Sequence, residues 1–236
     1  MIQSPVIKWK GAAPGNWEKD RDGFKPEALV LHITDQVGGG LAALDNWFNN
    51  PAAGVSAHFG VGKAGEVHGY VNVHDTAFAN GKVEQGYTAK LIDENPGVNP
   101  NSYLISIEHE GRTGETLTPA QWVANTRLAA YLCESVLLPH AGSTGFAITR
   151  DRILMHRDIT PKTRDRCPGW GEAYQEAYIN EVARILGGEG ETIREFLNGY
   201  TAQARELRKS AHTLRTEAGR LEMQADHLDR QVDRFR

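Results

Sequence analysis

Cysteine is nearly absent from this chain: Cys133 and Cys167 are the only two in 236 residues. That scarcity excludes a disulfide framework and leaves each thiol to be explained on its own. Long apolar runs are missing too, and nothing approaches the roughly 20 consecutive apolar residues of a membrane-spanning helix. The opening Met1-Ile2-Gln3-Ser4-Pro5-Val6 has no charged segment followed by an apolar one, so no secretory signal is readable. On that reading the protein is made in the cytoplasm without a signal peptide. Positive charge is not in excess either. The formal net charge is −4 and no basic stripe appears, which argues against a nucleic-acid partner.

What is present is enough for one sizeable domain and something smaller. Residues 1–26, rich in Pro, Gly, Trp and charge, read as an irregular arm. Strand-like runs follow at 28–33, 57–62, 66–71, 103–109 and 152–156, and helix-like stretches at 40–48, 118–138 and 171–186. Thr118 can cap the second helix, with Pro119 suited to its first position. This alternation predicts an α/β fold, a mixed central β-sheet flanked by helices, followed by a long C-terminal heptad helix. The stretch 72–101 is a long Gly-, Asn- and Pro-containing connection, and such connections often rim a binding groove.

Three segments are expected: a domain at 1–186, a Gly-rich hinge at 187–190 and a tail at 191–236. The tail contains no Pro, and from 204 onward it follows a seven-residue pattern. Ala204, Ala211, Ala218, Ala225 and Val232 share one position; Leu207, Leu214, Leu221, Leu228 and Phe235 share the position three residues later. That is the seam of a coiled coil, with a long amphipathic helix lying on the domain as the alternative. Arg208, Arg215, Glu222 and Asp229 flank the seam on one side. In an antiparallel pair Arg208 would meet Asp229 and Arg215 would meet Glu222, which predicts a homo-oligomer through antiparallel C-terminal helices.

The chemistry concentrates elsewhere. His32 ends the apolar run Ala28-Leu29-Val30-Leu31, His156 ends Ile153-Leu154-Met155, and Cys167 follows eleven residues later in Arg166-Cys167-Pro168-Gly169. Two imidazoles and a thiolate suit tetrahedral zinc, and three protein ligands leave the fourth position open, as in a hydrolase. Zinc lowers the pKa of bound water to about 7, and amide hydrolysis also wants a carboxylate to carry the proton to the leaving amine. In Ile105-Ser106-Ile107-Glu108-His109-Glu110, strand alternation puts Ser106, Glu108 and Glu110 on one face. Glu108, a carboxylate in mid-strand, is the candidate base, against the alternative of a solvated or ion-paired residue. Glu110 is expected to be exposed or to support the site from outside it. Cys133 reads as a buried core thiol. His58 either lines a groove or is a hydrogen-bonded structural residue. His68, His74 and His140 have no partner spacing and most of them are expected in ordinary surface or loop positions, with His212 and His227 solvated in the tail.

Several segments in order carry a family resemblance: Leu29-Val30-Leu31-His32, Trp47-Phe48-Asn49-Asn50-Pro51, Val55-Ser56-Ala57-His58-Phe59, Gly65-Glu66-Val67, Ile105-Ser106-Ile107-Glu108, and His156 with Cys167-Pro168-Gly169. Over roughly residues 5–185 the chain resembles the zinc-dependent N-acetylmuramoyl-L-alanine amidases of the type 2 class, which are related in fold to peptidoglycan recognition proteins. The resemblance implies Zn²⁺ held by His32, His156 and Cys167, with Glu108 handling the proton. Some members use a Tyr just before the His of the Ser-x-His segment, where this chain has Ala57. The family often carries a Lys two residues before the third ligand. Asp165 stands there instead, leaving Arg164, or else Lys162, to stabilise the carbonyl oxygen. Phe78-Ala79-Asn80-Gly81 replaces a Trp-His-Ala-Gly segment at the family's groove, which offers Phe78 and Asn80, along with His58, as substrate contacts. Core packing or turn chemistry is the alternative for each.

The implied activity is hydrolysis of the amide between N-acetylmuramic acid and L-Ala in peptidoglycan, as in phage endolysins released from the cytoplasm onto the cell wall. A non-catalytic peptidoglycan-binding module and a cytoplasmic wall-recycling amidase are the alternatives.

Overall fold

A computed structural model describes residues 2–36, 38–141, 147–187 and 216. The chain divides into two compact units, Met1–Gly190 and Glu191–Arg236. The expected hinge beyond Gly187 and the expected heptad helix, with His212 and His227, lie outside the described residues, as does the side chain of His140.

Eight strands and five α-helices make up the described part of the first unit. In chain order they are β1 (Ile7–Trp9), β2 (Trp17–Glu18), β3 (Ala28–Ile33), α1 (Gly40–Phe48), β4 (Phe59–Val61), β5 (Val67–Gly69), β6 (Thr76–Ala77), α2 (Lys90–Glu94), β7 (Leu104–His109), α3 (Pro119–Leu132), α4 (Leu138–Ala141), β8 (Ile153–Met155) and α5 (Glu172–Leu186). Six strands form one sheet in the order β1-β5-β4-β7-β3-β8, while β2 and β6 form a separate antiparallel pair. Within the large sheet only β4 and β5 run antiparallel; the other neighbours are parallel. The sheet is therefore mixed, as the sequence leads one to expect.

Every residue of β3 is buried, the mark of a parallel strand covered on both faces. Period-two alternation then sorts its side chains. Leu29 and Leu31, with Ile105, Ile107, Ile153 and Met155 from the neighbouring strands, pack in the core that includes Leu128 and Leu132 of α3 and Tyr178 and Val182 of α5. Ala28 and Val30, with Leu104 and Leu154, pack on the opposite side with Leu91 and Ile92 of α2. On α1, Leu41, Leu44 and Phe48 join Tyr70 and Val71 in a third cluster. His32, Glu108 and His156 continue the second set of rows, so the site lies at the carboxyl ends of parallel strands, on the face away from α3 and α5. Open α/β sheets commonly bind ligands at such ends.

The helix starting signals act as the sequence suggests. The Thr118 hydroxyl accepts from Gln121 N at 3.1 Å, and Gln121 Oε1 accepts from Thr118 N at 3.3 Å, closing a capping box on α3. The helix expected over 118–138 is interrupted after Leu132 by one wide turn, Cys133–Leu137, before α4. Cys133 is fully buried. The arm at 1–26 is less irregular than expected: β1 adds an edge to the large sheet through β5, and β2 pairs with β6 from the long connection. These strands are two or three residues long, too short to leave a period in the sequence.

Candidate metal centre and groove

β3 and β7 hold His32 directly opposite Glu108 in register. His156 follows the last residue of β8, in a short turn that runs to Asp158. The loop carrying Cys167 is bound back to that turn, because Arg157 N donates to Cys167 O at 3.2 Å and Arg157 Nη1 donates to Trp170 O at 2.6 Å. The Cys167–Pro168 peptide is cis. Together these elements bring one donor atom each from His32, His156 and Cys167 to within 4.8 Å of one another. His32 Nδ1 and His156 Nδ1 are 2.9 Å apart.

Burial governs the protonation of this cluster. It pushes His156 down to about 4, with the Arg164 charge adding to the effect, and His32 well below the ordinary imidazole value, with the His156 and His109 rings and Arg164 adding to the effect. Neutral imidazole is the form that ligates a metal. Burial pushes the Cys167 thiol up to about 12, yet a coordinated thiol is deprotonated outright by the charge of the ion. Two neutral imidazoles and a thiol converging on one point fit zinc.

Glu108 completes the constellation. Its Oε2 is inaccessible to solvent and has no hydrogen-bond partner among the described residues. Burial raises its pKa to about 8, and the Arg164 charge opposes the rise. A carboxyl poised near neutrality is matched to taking and returning a proton. Arg164 is exposed, and its charge reaches all four groups: His32, Glu108, His156 and Cys167. All five residues line a groove of about 660 Å³, together with Trp47, Phe78, Arg112, Asp165 and Arg166. Lys162, the alternative to Arg164, does not line it.

The other expected contacts divide. Phe78 lines the groove. His58 does not: it is fully buried, with Nδ1 accepting from Ser106 N at 3.0 Å and Nε2 lying 2.8 Å from Arg21 Nη2. It is a structural histidine, kept neutral by burial and by the Arg21 charge, rather than a substrate contact. Asn80 is likewise fully buried, and its Oδ1 lies 3.2 Å from His32 Nε2, so it touches a metal-site residue instead of the groove. His68 is not an ordinary surface residue; it is nearly buried, and its Nδ1 lies 2.8 Å from Asp45 Oδ1. His74 is exposed as expected. Glu110 accepts from Lys63 N at 2.9 Å, outside the donor cluster.

Residues 22–170 match the N-acetylmuramoyl-L-alanine amidase family. The chain belongs to that family. It is 28% identical over 128 residues to N-acetylmuramoyl-L-alanine amidase A of Achromobacter lyticus, an alignment covering 53% of this chain. The chain spans 60% of the length of that curated relative. Among solved structures, a selenomethionyl AmpD derivative shares 21% identity at a TM-score of 0.53, covering 73% of this chain and 93% of that one. A mutant endolysin from Bacillus subtilis shares 17% at 0.54, covering 77% and 99%. The catalytic domain of PlyG, solved in solution, also shares 17% at 0.54, covering 76% and 94%. At these identities the structures establish a common fold, and the donor set of this chain is the His-His-Cys group typical of the family's zinc site.

Proposed function

We propose that this family member hydrolyses the amide between the lactyl group of N-acetylmuramic acid and L-Ala of the peptidoglycan stem peptide. His32, His156 and Cys167 would hold Zn²⁺, which when bound supplies Lewis acidity toward the scissile carbonyl and toward water. Glu108 takes a proton from the attacking water and passes it to the leaving alanine nitrogen, so that C–N cleavage releases a neutral amine and a lactyl carboxylic acid, which then gives its remaining proton to solvent. Arg164, on the rim, faces the negative charge that develops on the carbonyl oxygen. Trp47 and Phe78 offer apolar surface to the glycan or the peptide. The observation that carries this reading is the convergence of three metal-binding side chains beside a half-buried carboxylate, whose Oε2 has no hydrogen-bond partner among the described residues, in an open groove.

Digestion of defined muropeptides tests it. The expected products are a free stem peptide beginning with L-Ala and an intact lactyl-bearing sugar. A Glu108→Ala variant should lose turnover and keep its zinc. Cleavage at another bond, or unchanged lysis of purified walls by that variant, would overturn the assignment.

No helix among the described residues is long and apolar enough to cross a membrane.

A further inference from the structure

His32 and His156 approach each other through the same atom of each ring, Nδ1 to Nδ1 at 2.9 Å. For both atoms to face a cation, each ring must carry its hydrogen on Nε2, and a neighbour has to enforce that tautomer. For His32 the neighbour is Asn80, whose Oδ1 lies 3.2 Å from Nε2. An amide oxygen only accepts, so Nε2 bears the hydrogen and Nδ1 is left bare. Ser106 Oγ donates to the same oxygen at 3.3 Å.

Asn80 is itself held firmly. Its backbone N donates to Asn101 Oδ1 at 2.9 Å and that of Ala79 donates to the same atom at 3.2 Å. The buried Arg21 secures Asn101 in turn, with Nη1 donating to its carbonyl at 3.2 Å. Asn80 Nδ2, by contrast, has no hydrogen-bond partner among the described residues although the side chain is fully buried. An unsatisfied buried donor is destabilising, a cost that an apolar side chain would avoid. The amide is explained by its oxygen.

We propose that Asn80 is a positioning residue that sets the tautomer of His32 and so presents its bare Nδ1 atom to the metal. The inference rests on the zinc-site reading above. Metal-ligating histidines generally have such a partner, and losing it costs about 10–100-fold in metal affinity.

The test uses the full chain, ¹⁵N-labelled, in three forms: wild type, Asn80→Ala and Asn80→Asp. Long-range ¹H–¹⁵N correlation of the zinc-free proteins reads the ring tautomers, and competition with a chromophoric chelator reads zinc affinity. Wild type should show His32 protonated on Nε2. Asn80→Ala should lose that signature and about 10–100-fold of its affinity, whereas Asn80→Asp, which keeps an acceptor, should retain both. Wild-type tautomer and affinity in Asn80→Ala would overturn the proposal. If that variant does not fold, a tenfold loss in folded Asn80→Asp would overturn it equally. A wild type that binds no zinc would refute the metal reading instead, while the tautomer measurement would still judge Asn80.

Discussion

His32 and Glu108 are lateral partners on adjacent parallel strands, and the row they begin continues through Gly60 to His68. The metal site and the candidate base thus share one line of side chains across the sheet. The glycine marks where that line must leave room. A Cβ at Gly60 would stand 3.1 Å from the Tyr70 ring, 3.1 Å from its hydroxyl and 3.1 Å from Leu44. Tyr70 is 1% exposed, and its hydroxyl donates to Asp45 at 2.8 Å, so it has little freedom to retreat.

Gly60→Ala therefore forces either the Tyr70–Asp45 contact or the β4–β7 spacing to change. Overpacking of this kind costs about 1–3 kcal/mol. Displacement reaching Glu108 should lower turnover on muropeptides while zinc stoichiometry stays at the wild-type value, because the donor trio lies on β3 and beyond β8. Chemical unfolding, zinc analysis and steady-state kinetics on one preparation check all three. Wild-type stability in this variant would show that the row has slack.

Much of this arrangement is legible in the sequence, for a physical reason. β3 and β7 are central strands buried on both faces, so their apolar runs are continuous and end visibly at His32 and at Glu108-His109. The amphipathic period of α5 and the cap of α3 are local signals as well. What is not legible depends on contacts distant in sequence. β1 joins the sheet only because Ile7–Trp9 meets Val67–Gly69. Asn80 sits in a long connection with no period, where its letter is compatible with a groove contact, a turn or a support for His32. Only the fold that brings residue 80 beneath residue 32 decides among them. His58 and His68 show the same limit: one is locked by Arg21, the other by Asp45, and neither partner is near in sequence.

Metal removal gives a direct prediction. Chelation of wild type should abolish turnover, and added Zn²⁺ should restore it. Cys167→Ser should weaken zinc binding with little loss of folding stability, since the loop is held by its main chain: Cys167 N donates to Arg164 O at 2.9 Å and Cys167 O accepts from Arg157 N at 3.2 Å. Thiolate is the softer and stronger zinc donor, so the substitution tells on affinity. Atomic absorption after dialysis and thermal unfolding of the zinc-free forms separate the two quantities. Full zinc retention by Cys167→Ser would remove Cys167 from the donor set.

Arg164 should act on the rate rather than on binding. Its side chain is exposed, so Arg164→Ala should change stability by no more than about 0.5 kcal/mol. Loss of one donor to a developing oxyanion costs about 100–1,000-fold in kcat. Arg164→Lys should recover part of that loss, and Lys162→Ala, outside the groove, should change little. A variant whose KM rises while kcat holds would make Arg164 a substrate-anchoring residue instead.

Asp45 ties α1 to the sheet, and its contribution should depend on pH. Burial alone would raise its carboxyl, but hydrogen bonds from Lys10, His68 and Tyr70 outweigh burial and hold it below the ordinary value. Lys10 Nζ lies 2.8 Å from Oδ2, and His68 Nδ1 lies 2.8 Å from Oδ1. Because the folded carboxyl titrates below the roughly 3.9 of an unfolded Asp, its stabilisation is complete above that value. It is lost as the pH falls through the folded value. Wild type should thus exceed Asp45→Asn in urea stability by about 2 kcal/mol at pH 7, the scale of hydrogen bonds to a charged group. The gap should narrow steadily on acidification below about pH 4. Taking the difference between the two proteins cancels the titrating groups that Asp45 does not touch. A gap that stayed constant down to pH 3 would mean that the carboxylate charge contributes nothing, and that Asp45 holds α1 by shape alone.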